Sequence, residues 1–236
     1  MGLGADLQAN VGQFIKGTWT RKEGRAVPEP ENIGMGNDGI ELKEAVCLYA
    51  DLADSTGLVA RFSDWFAALV YKSFLHCAAK IILEEQGSIT AFDGDRVMGI
   101  FVGPDRCNAA AKSALRINWA TKYMVEPAIK AHWPAEASVK SLEIRHTVGI
   151  DASKIFASRT GVRGNNDIVW VGRAANYAAK LATWREPRYP SLITHDVFVA
   201  LTGSARDAGQ VCMWSPHATA INGVRVYSST SYMKMT

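Results

Sequence analysis

The clearest structural signal in this chain of 236 residues is the run Ala45-Val46-Cys47-Leu48-Tyr49-Ala50-Asp51. The run is apolar almost throughout and ends in a carboxylate. A short apolar run that is bounded by a polar turn is typical of a strand buried on both faces. We therefore expect this run to be the first strong strand of the main domain, which we place from about Glu41 onward.

The sequence after this strand predicts helices and strands around a tight hairpin. Asp93-Gly94-Asp95 joins two short β-rich runs, and Asp-Gly in that position is a strong hairpin signal. The other predicted elements are helices over residues 63–86 (ending at Gly87), 107–130 and 173–184, strands over 143–151, 154–158, 168–171 and 191–194, and a glycine-bearing loop over 159–164. This pattern indicates an α+β fold with a mixed, mostly antiparallel sheet, a central hairpin and flanking long helices.

The first forty residues differ in composition from the rest. Residues 5–19 predict a short helix with its larger apolar residues on one side. Residues 25–39 collect prolines and glycines among charged residues, which is typical of a linker. We therefore divide the chain into residues 1–40, a helix and a linker, and residues 41–236, the main domain.

Composition and charge argue against several classes of protein. With 26 basic and 23 acidic residues the formal net charge is +3, which is too weak to indicate nucleic-acid binding. No run of about 18 apolar residues is present, so we expect no membrane insertion. The first residues lack the pattern of a signal peptide, and the four cysteines form no CxxC pair. We therefore expect a cytoplasmic protein with reduced thiols.

Two carboxylates stand at the ends of predicted strands. Asp51 ends the first strand, and Asp95 lies in the hairpin turn. If the strand lies beside the hairpin, both acids meet at one edge of the sheet, where a bound Mg²⁺ or Mn²⁺ ion would relieve their repulsion. Asp-Gly turns are also common without a metal, so spacing alone leaves open that Asp95 only forms the turn.

The turn after Asp51 is a second candidate feature. Asp54, Ser55 and Thr56 lie in a run of small residues that ends at Gly57. The backbone N–H groups of such a turn fit the oxygens of a polyphosphate, so these three residues are candidate substrate contacts. An ordinary turn that is stabilised by Asp and Ser side chains fits the same letters.

Four segments, taken in order, carry motifs of a known family. They are Tyr49-Ala50-Asp51-Leu52-Ala53-Asp54-Ser55-Thr56, Phe92-Asp93-Gly94-Asp95-Arg96-Val97-Met98, His146-Thr147-Val148-Gly149-Ile150 followed by Gly161, and Val171-Gly172-Arg173-Ala174-Ala175-Asn176-Tyr177-Ala178-Ala179-Lys180-Leu181. In turn they resemble the two metal motifs, the strand with the dimerisation arm, and the transition-state helix of the class III nucleotidyl cyclases. The resemblance covers about residues 41–201 and implies the family's fold, with a ferredoxin-like core.

The resemblance implies roles for single residues. Asp51 and Asp95 would bind two divalent ions, Mg²⁺ or Mn²⁺, with the Leu52 carbonyl as a further ligand. Asn176 would orient the ribose. Lys180 stands where the family usually has a transition-state arginine, and it keeps the charge but loses the forked geometry; an ordinary solvated lysine fits this position too. In the family the acids and the asparagine–cation pair come from different subunits, which implies a homodimer.

The departures from the family concern the nucleotide base. Its adenylate cyclases carry a lysine and an aspartate at the positions of Ala91 and Val169, and neither residue here can hydrogen-bond a purine edge. Loss of both partners removes the physical basis for selecting ATP. Tyr49 lies two residues before Asp51 on the same face of the strand, where its ring would either narrow the base pocket or fill the core. This combination resembles the pyrimidine cyclases of bacterial anti-phage Pycsar systems.

These features predict a pyrimidine nucleotide cyclase that converts UTP to 3′,5′-cyclic UMP and pyrophosphate. Arg96 and Arg173 flank the site motifs and are candidate contacts to the base or the phosphates, and arginine donors would favour uracil. The product would act on a separate effector protein in anti-phage defence. The alternatives are a cytidylate cyclase, an ATP or GTP cyclase with atypical base contacts, and a silent dimerising cyclase-like module, against which the retained acids and asparagine argue.

Overall fold

The computed structural model describes residues 2–184, 189–218 and 220–235. The helices are α1 (Leu3–Lys16), α2 (Ser55–Arg61), α3 (Asp64–Glu84), α4 (Arg106–Ala120), α5 (Glu126–His132), α6 (Ala137–Lys140), α7 (Arg173–Ala182), α8 (His195–Ala200) and α9 (Gly203–Arg206). The strands are β1 (Thr20–Gly24), β2 (Asp38–Leu52), β3 (Ser88–Asp93), β4 (Arg96–Phe101), β5 (His146–Val162), β6 (Asn165–Val171), β7 (Ser191–Thr194), β8 (Asp207–Ala208), β9 (Val211–Cys212), β10 (Ser215–Pro216) and β11 (Val226–Ser229).

Strand β2 is the centre of the main sheet. The strand order is β10-β11-β7-β5-β2-β4-β3, with β1 pairing with β2 and β6 pairing with β5. Within the described residues, β1–β2 and β5–β7 are parallel and the other pairs of this sheet are antiparallel. The predicted α+β fold with a mostly antiparallel sheet is thus confirmed. The hairpin β3–β4, however, lies at one end of the order and not at its centre, because β2, which is largely buried from Ala45 to Leu52, takes neighbours on both sides.

Four strands and two helical segments form the core of the domain. Along the chain they follow as β2, α3, β3, β4, α4 and β5, and in the sheet the strands lie as β5-β2-β4-β3. This is the ferredoxin-like arrangement, which the sequence also predicts. The hairpin turns over Gly94 and Asp95, and Gly94 takes a positive φ of 61° at the first loop position, where tight hairpins favour glycine.

Helix α3 packs its apolar face in the core. Its buried residues are Phe66, Ala67, Val70, Phe74, Ala78, Ile81 and Ile82. The helix ends in a Schellman motif, in which the N–H groups of Gln86 and Gly87 donate to the carbonyls of Leu83 and Ile82 at 3.0 and 2.8 Å. The left-handed residue is therefore Gln86 (φ 62°) and not the predicted Gly87. Gly87 is needed for a different reason, since a Cβ there would lie 2.6 Å from the Phe101 ring.

The sequence predicts two long helices before β5, and the structure has them as α3 and as the segment that contains α4 and α5. By length and composition alone α3 would also suffice to cross a membrane, a test that core helices commonly pass. Helix α4 continues through a π-helical turn, Thr121–Val125, into α5, so the predicted helix over residues 107–130 is one segment with a π-turn inside it.

Strand β5 is longer than the sequence predicts. It runs without a break from His146 to Val162, so the gap after residue 151 and the predicted loop over residues 159–164 are wrong. The turn consists of Arg163 and Gly164 alone. Pairing with β6 from Phe156 to Val162 supplies hydrogen bonds to a backbone whose polar and glycine residues resemble a loop.

The N-terminal segment contributes to the sheet as well as the expected helix. Helix α1 has no buried residue, and its apolar side chains are exposed. Residues 20–24, however, form β1, which pairs in parallel with Asp38 to Leu42 of β2. The sheet therefore begins upstream of the expected boundary at residue 41. The division into residues 1–40 and residues 41–236 stays a proposal, since residues 20–24 and 38–40 of the first part already belong to the sheet.

Candidate active site

The strand that carries Asp51 and the turn that carries Asp95 meet at one edge of the sheet. Asp51 is next to last in β2 and is 3% exposed. Its partner in the ladder with β4 is Arg96, the neighbour of Asp95. The N–H of Leu52 donates to the Asp95 carbonyl at 3.4 Å. Sheet pairing therefore brings the three predicted metal-binding residues together.

One carboxylate oxygen at this edge lacks a partner. Asp95 Oδ2 is inaccessible to solvent and has no hydrogen-bond partner in the described part of the chain. A buried carboxylate oxygen in that state is costly, and a divalent cation would remove the cost. The described residues hold no group of three or more His, Cys, Asp or Glu side chains that could bind a metal ion. A cation here would complete its shell with a carbonyl, water and substrate phosphates, which suits Mg²⁺.

The turn after the first acid is held by Arg145. The N–H of Ala53 donates to the Arg145 carbonyl at 2.8 Å. Asp54 has a left-handed φ of 60°, and its carboxylate lies 3.5 Å from Arg61 Nη2 and 3.9 Å from Arg145 Nη2. The Asp54 side chain therefore faces two arginines of its own chain.

Ser55 and Thr56 form the first turn of α2. The N–H groups of a first helical turn have no partner inside the helix, so these two can meet an acceptor from outside. The Tyr71 hydroxyl donates to the Ser55 carbonyl at 3.1 Å and ties α2 to α3. The turn thus offers fixed backbone donors close to the two acids.

Tyr49 lies in one row with Ala91 across the sheet. Tyr49 pairs with Met98 in β4 and with Gly149 in β5, and Met98 pairs with Ala91 in β3. Tyr49 is half-buried, and burial is the main cause that raises the pKa of its phenol. At neutral pH the row therefore contains a neutral phenol and a methyl group, with Met98 between them.

Arg96 lies one row closer to the end of the strand, opposite Asp51. Its Nη2 and Nε donate to the Asp93 carboxylate at 2.5 and 3.2 Å. This hydrogen bond is the main cause that raises the pKa of Arg96, and the nearby Asp51 raises it further. Arg96 is therefore a fixed cation at the same edge as the two acids.

Val169 is not beside the acids within one subunit. It lies on β6 opposite Ser158 and is 43% exposed. Asp51 pairs with Thr147, near the other end of β5. The structure thus places the two predicted base positions, Ala91 and Val169, on different parts of the sheet.

Helix α7 lies against the sheet and turns Asn176 and Lys180 outward. Its buried residues are Ala174, Ala175, Ala178, Leu181 and Ala182. At about 100° per residue, Asn176 and Lys180 fall on the opposite side of the helix, and both are exposed. Gly149 permits the close packing, because a Cβ there would lie 2.3 Å from the Ala178 carbonyl oxygen. The two side chains thus project away from their own sheet.

Arg173, a predicted substrate contact, is held inside the chain. Its guanidinium donates to the Asp151 carboxylate at 3.1 and 3.2 Å and to the Ala152 carbonyl at 2.7 Å, and it also binds the Asp196 carboxylate. The Thr194 hydroxyl donates to Asp151 as well. Nε and Nη2 are engaged in these contacts, which leaves Nη1 for a substrate, so the role of Arg173 as a substrate contact stays a proposal.

The buried Asp151 is a residue that the sequence analysis missed. It is fully buried, and burial is the main cause that raises its pKa, while Thr194 and Arg173 act in the opposite direction. A signal was present, since Asp151 follows the apolar run that ends at Ile150 just as Asp51 follows its own apolar run. This acid anchors the start of α7 to β5.

The chain is similar over nearly its whole length to proteins named uridylate cyclase. It is 43% identical over 231 residues to the uridylate cyclase of Burkholderia cepacia, covering 98% of each chain. It is 39% identical over 215 residues to the one from Xanthomonas perforans, covering 91% of this chain and 90% of the relative. No family model matches the chain.

A solved structure shows the same fold. The adenylyl cyclase CyaB from P. aeruginosa is 20% identical to this chain and superposes with a TM-score of 0.64, covering 82% of this chain and 97% of that one. The predicted resemblance to class III cyclases is thereby confirmed for the fold. With relatives this similar over the full length, the chain belongs to the uridylate cyclase family.

Proposed function

We propose that this protein is a uridylate cyclase, which converts UTP to 3′,5′-cyclic UMP and pyrophosphate in the cytoplasm. The observation that carries the proposal is the 43% identity to a relative of that name over nearly the whole of both chains. The paired acids Asp51 and Asp95 at the sheet edge support it. The outward-facing Asn176 and Lys180 support the accompanying proposal of a homodimer.

Asp51, Asp95 and the Leu52 carbonyl are the proposed ligands of two divalent ions, Mg²⁺ or Mn²⁺. When bound, such ions neutralise the triphosphate and favour ionisation of the ribose 3′-hydroxyl. The unpartnered Asp95 oxygen supports this assignment. We propose that the N–H groups of Ser55 and Thr56, which lie in the first turn of α2, receive phosphate oxygens and that Asp54 contributes by fixing the turn.

The proposed reaction is attack of the 3′-oxygen on the α-phosphorus. A bond forms between these two atoms, the bond from the α-phosphorus to the bridging oxygen breaks, and pyrophosphate leaves with the electron pair. Asn176 holds the ribose in line, and Lys180 balances charge on the transferring phosphate. Because both project from their own sheet, we propose that they serve the acids of a second copy of the chain.

The base preference follows from side chains that cannot bond a purine. Ala91 and Val169 offer only methyl groups. The polar edges of adenine and guanine would therefore find no hydrogen-bond partner in these two side chains. We propose that the ring of Tyr49, in the same row as Met98 and Ala91, leaves less room for the base, which favours the smaller pyrimidines. Arg96, held by Asp93 through Nε and Nη2, is the proposed donor to the O4 acceptor of uracil through its remaining nitrogen, Nη1. Cytidylate cyclase activity is the second candidate, since the same pocket size fits cytosine.

The biological role is proposed from the resemblance to Pycsar cyclases. In that role the cyclic nucleotide is a second messenger of anti-phage defence and acts on a separate effector protein. Neither nucleic-acid binding nor membrane insertion is part of the proposal.

The test is a substrate panel read by product mass. Wild-type protein with Mn²⁺ is given UTP, CTP, ATP or GTP, and Asp95→Ala serves as the catalytic blank. We expect UTP to be converted fastest, CTP second and both purines slowly. The double variant Ala91→Lys with Val169→Asp should raise turnover of ATP relative to UTP. Equal turnover of ATP and UTP by the wild type contradicts the base argument, and turnover no higher than the blank would identify a silent module.

A further inference from the structure

Tyr177 lies on α7 between the anchored Arg173 and the exposed Lys180. The centre of its ring is 5.8 Å from the guanidinium carbon of Arg173, which precedes it in the chain. It is also 5.8 Å from Nζ of Lys180, which follows it. The three residues stand at spacings of four and three, so they share one stripe of the helix. An aromatic ring next to a cation attracts it through its negative face.

The near end of this stripe is rigid. Asp151 is fully buried and accepts hydrogen bonds from two nitrogens of Arg173. The Ala152 carbonyl and the Asp196 carboxylate also accept hydrogen bonds from Arg173. The N–H of Ala174 also donates to Ser153 Oγ at 2.9 Å. The helix dipole makes a cation in the first turn of a helix unfavourable. The carboxylates of Asp151 and Asp196 offset this unfavourable interaction. Arg173 therefore serves as a fixed support for the neighbouring ring.

The far end of the stripe is otherwise unrestrained. Lys180 is exposed, and the described residues give its ammonium no hydrogen bond or ion pair, only the ring contact. A lysine has a flexible stem and a point charge, so it loses more side-chain entropy per hydrogen bond formed than a forked guanidinium does. A ring fixed at its base would reduce the number of directions that the ammonium samples.

We propose that Tyr177 is a positioning residue, which holds the Lys180 ammonium in the orientation required at the transition state and so compensates for the missing guanidinium fork. The inference rests on the proposed catalytic role of Lys180. Arg173, supported by Asp151 and Asp196, holds the ring in place. The hydroxyl of Tyr177 has no hydrogen-bond partner among the described residues, so the ring face is the part that acts.

The test compares Tyr177→Leu, Tyr177→Phe and Lys180→Gln with wild-type protein under saturating UTP and Mn²⁺. We expect Tyr177→Leu to lower kcat roughly two- to fivefold with little change in KM, as a lost cation–π contact would. Tyr177→Phe should keep wild-type kcat because it keeps the ring. In a Lys180→Gln background the effect of Tyr177→Leu should disappear, which a merely structural tyrosine would not show.

Tyr123→Leu is the matched control. Tyr123 also lies under a lysine, with Lys122 Nζ 5.4 Å from its ring centre, but outside the candidate site, so its loss should leave kcat unchanged. If Lys180→Gln alone has full activity, the proposed role of Lys180 fails. If Lys180→Gln is impaired while Tyr177→Leu is not, or if the two effects simply multiply, the positioning role is overturned and the proposed function stands.

Discussion

At the scale of single residues, two acids show opposite ways of burying a carboxylate. Asp151 is fully buried and accepts hydrogen bonds from Arg173 and Thr194, so its oxygens are satisfied inside the chain. Asp95 has a buried oxygen with no partner in the described part of the chain. Unsatisfied buried oxygens cost stability and are kept where a ligand uses them. We therefore expect replacement of the two acids to have different consequences.

Asp95→Asn should separate activity from stability. Turnover of UTP should fall by at least roughly 100-fold, because the proposed metal loses an anionic ligand. Without metal, the free energy of unfolding should stay within about 1 kcal/mol of wild type or rise, since the inaccessible Oδ2 has no hydrogen bond among the described residues to lose. Urea denaturation in chelator and a cyclisation assay measure the two effects, with the exposed Glu84→Gln as the control. A loss of several kcal/mol would instead mean that Asp95 is a structural acid.

His146 should make stability depend on pH. Burial lowers the pKa of its imidazole from 6.5 to about 4. Between these values the unfolded chain binds a proton that the folded chain excludes, so stability is full above pH 6.5 and falls as the pH drops toward 4. The loss is about 3 kcal/mol over the whole window.

The measurement is urea denaturation of wild type and His146→Gln in metal-free buffer across that window. The stability difference between the two proteins should shrink as the pH falls, because the variant lacks the imidazole. His132→Gln, which changes an exposed histidine, should run parallel to wild type. Parallel curves for His146→Gln would show that this imidazole is not the group that titrates.

At the scale of elements, the fit of α7 on the sheet decides where the proposed catalytic side chains lie. Gly149 is the contact point, with the Ala178 carbonyl and the Ala182 nitrogen close to where a Cβ would be. Both partners are backbone atoms, which cannot rotate away. A larger residue at this position must therefore displace the helix.

Gly149→Ala should destabilise the fold by about 1–3 kcal/mol and reduce turnover by more than the loss of folded protein explains. The matched control is Gly12→Ala in α1, where a Cβ would meet nothing within 4 Å and where alanine is the better helix former. Thermal unfolding together with specific activity corrected for folded protein measures both effects. Full activity in Gly149→Ala would show that the position of α7 does not depend on close packing against Gly149.

The elements differ in how far the sequence alone predicts them. The hairpin turn is local, because Asp-Gly between apolar runs specifies it, and the structure has it at Gly94. The continuity of β5 depends on pairing with β6. The local sequence of β5 gives no sign of this pairing, so a loop is predicted where a strand lies. The ion pair between Asp151 and Arg173 is likewise a tertiary contact. The residues of α7 alone suggest a substrate-binding arginine and do not reveal this partner.

At the scale of the whole molecule, the direction of α7 supports our proposal that one chain does not complete a site. Asn176 and Lys180 lie on the side of the helix opposite to its buried alanines. The acids lie at the sheet edge between β2 and the hairpin. Two antiparallel copies would bring the two sets together twice, as expected of a closed two-fold assembly.

Mixing inactive variants should restore activity. Asp51→Ala and Asn176→Ala are each expected to be inactive alone, but a heterodimer of the two has one site with every residue intact. After full exchange of subunits, activity per protein should reach about a quarter of wild type, since half of the dimers are mixed and each has one intact site of two. Unmixed variants and a doubly substituted chain are the controls. No recovery in verified heterodimers would mean that each chain carries its own site.

The outward face of α7 has a consequence for dosage. An enzyme split across two molecules has a rate that rises with the square of its abundance while most copies are alone, and linearly once they are paired. A small excess of message would then change output steeply, and dilution after cell growth would silence it without any inhibitor. Under the proposed shared site, the geometry that exposes an asparagine and a lysine to solvent would thus make the amount of protein itself a control input.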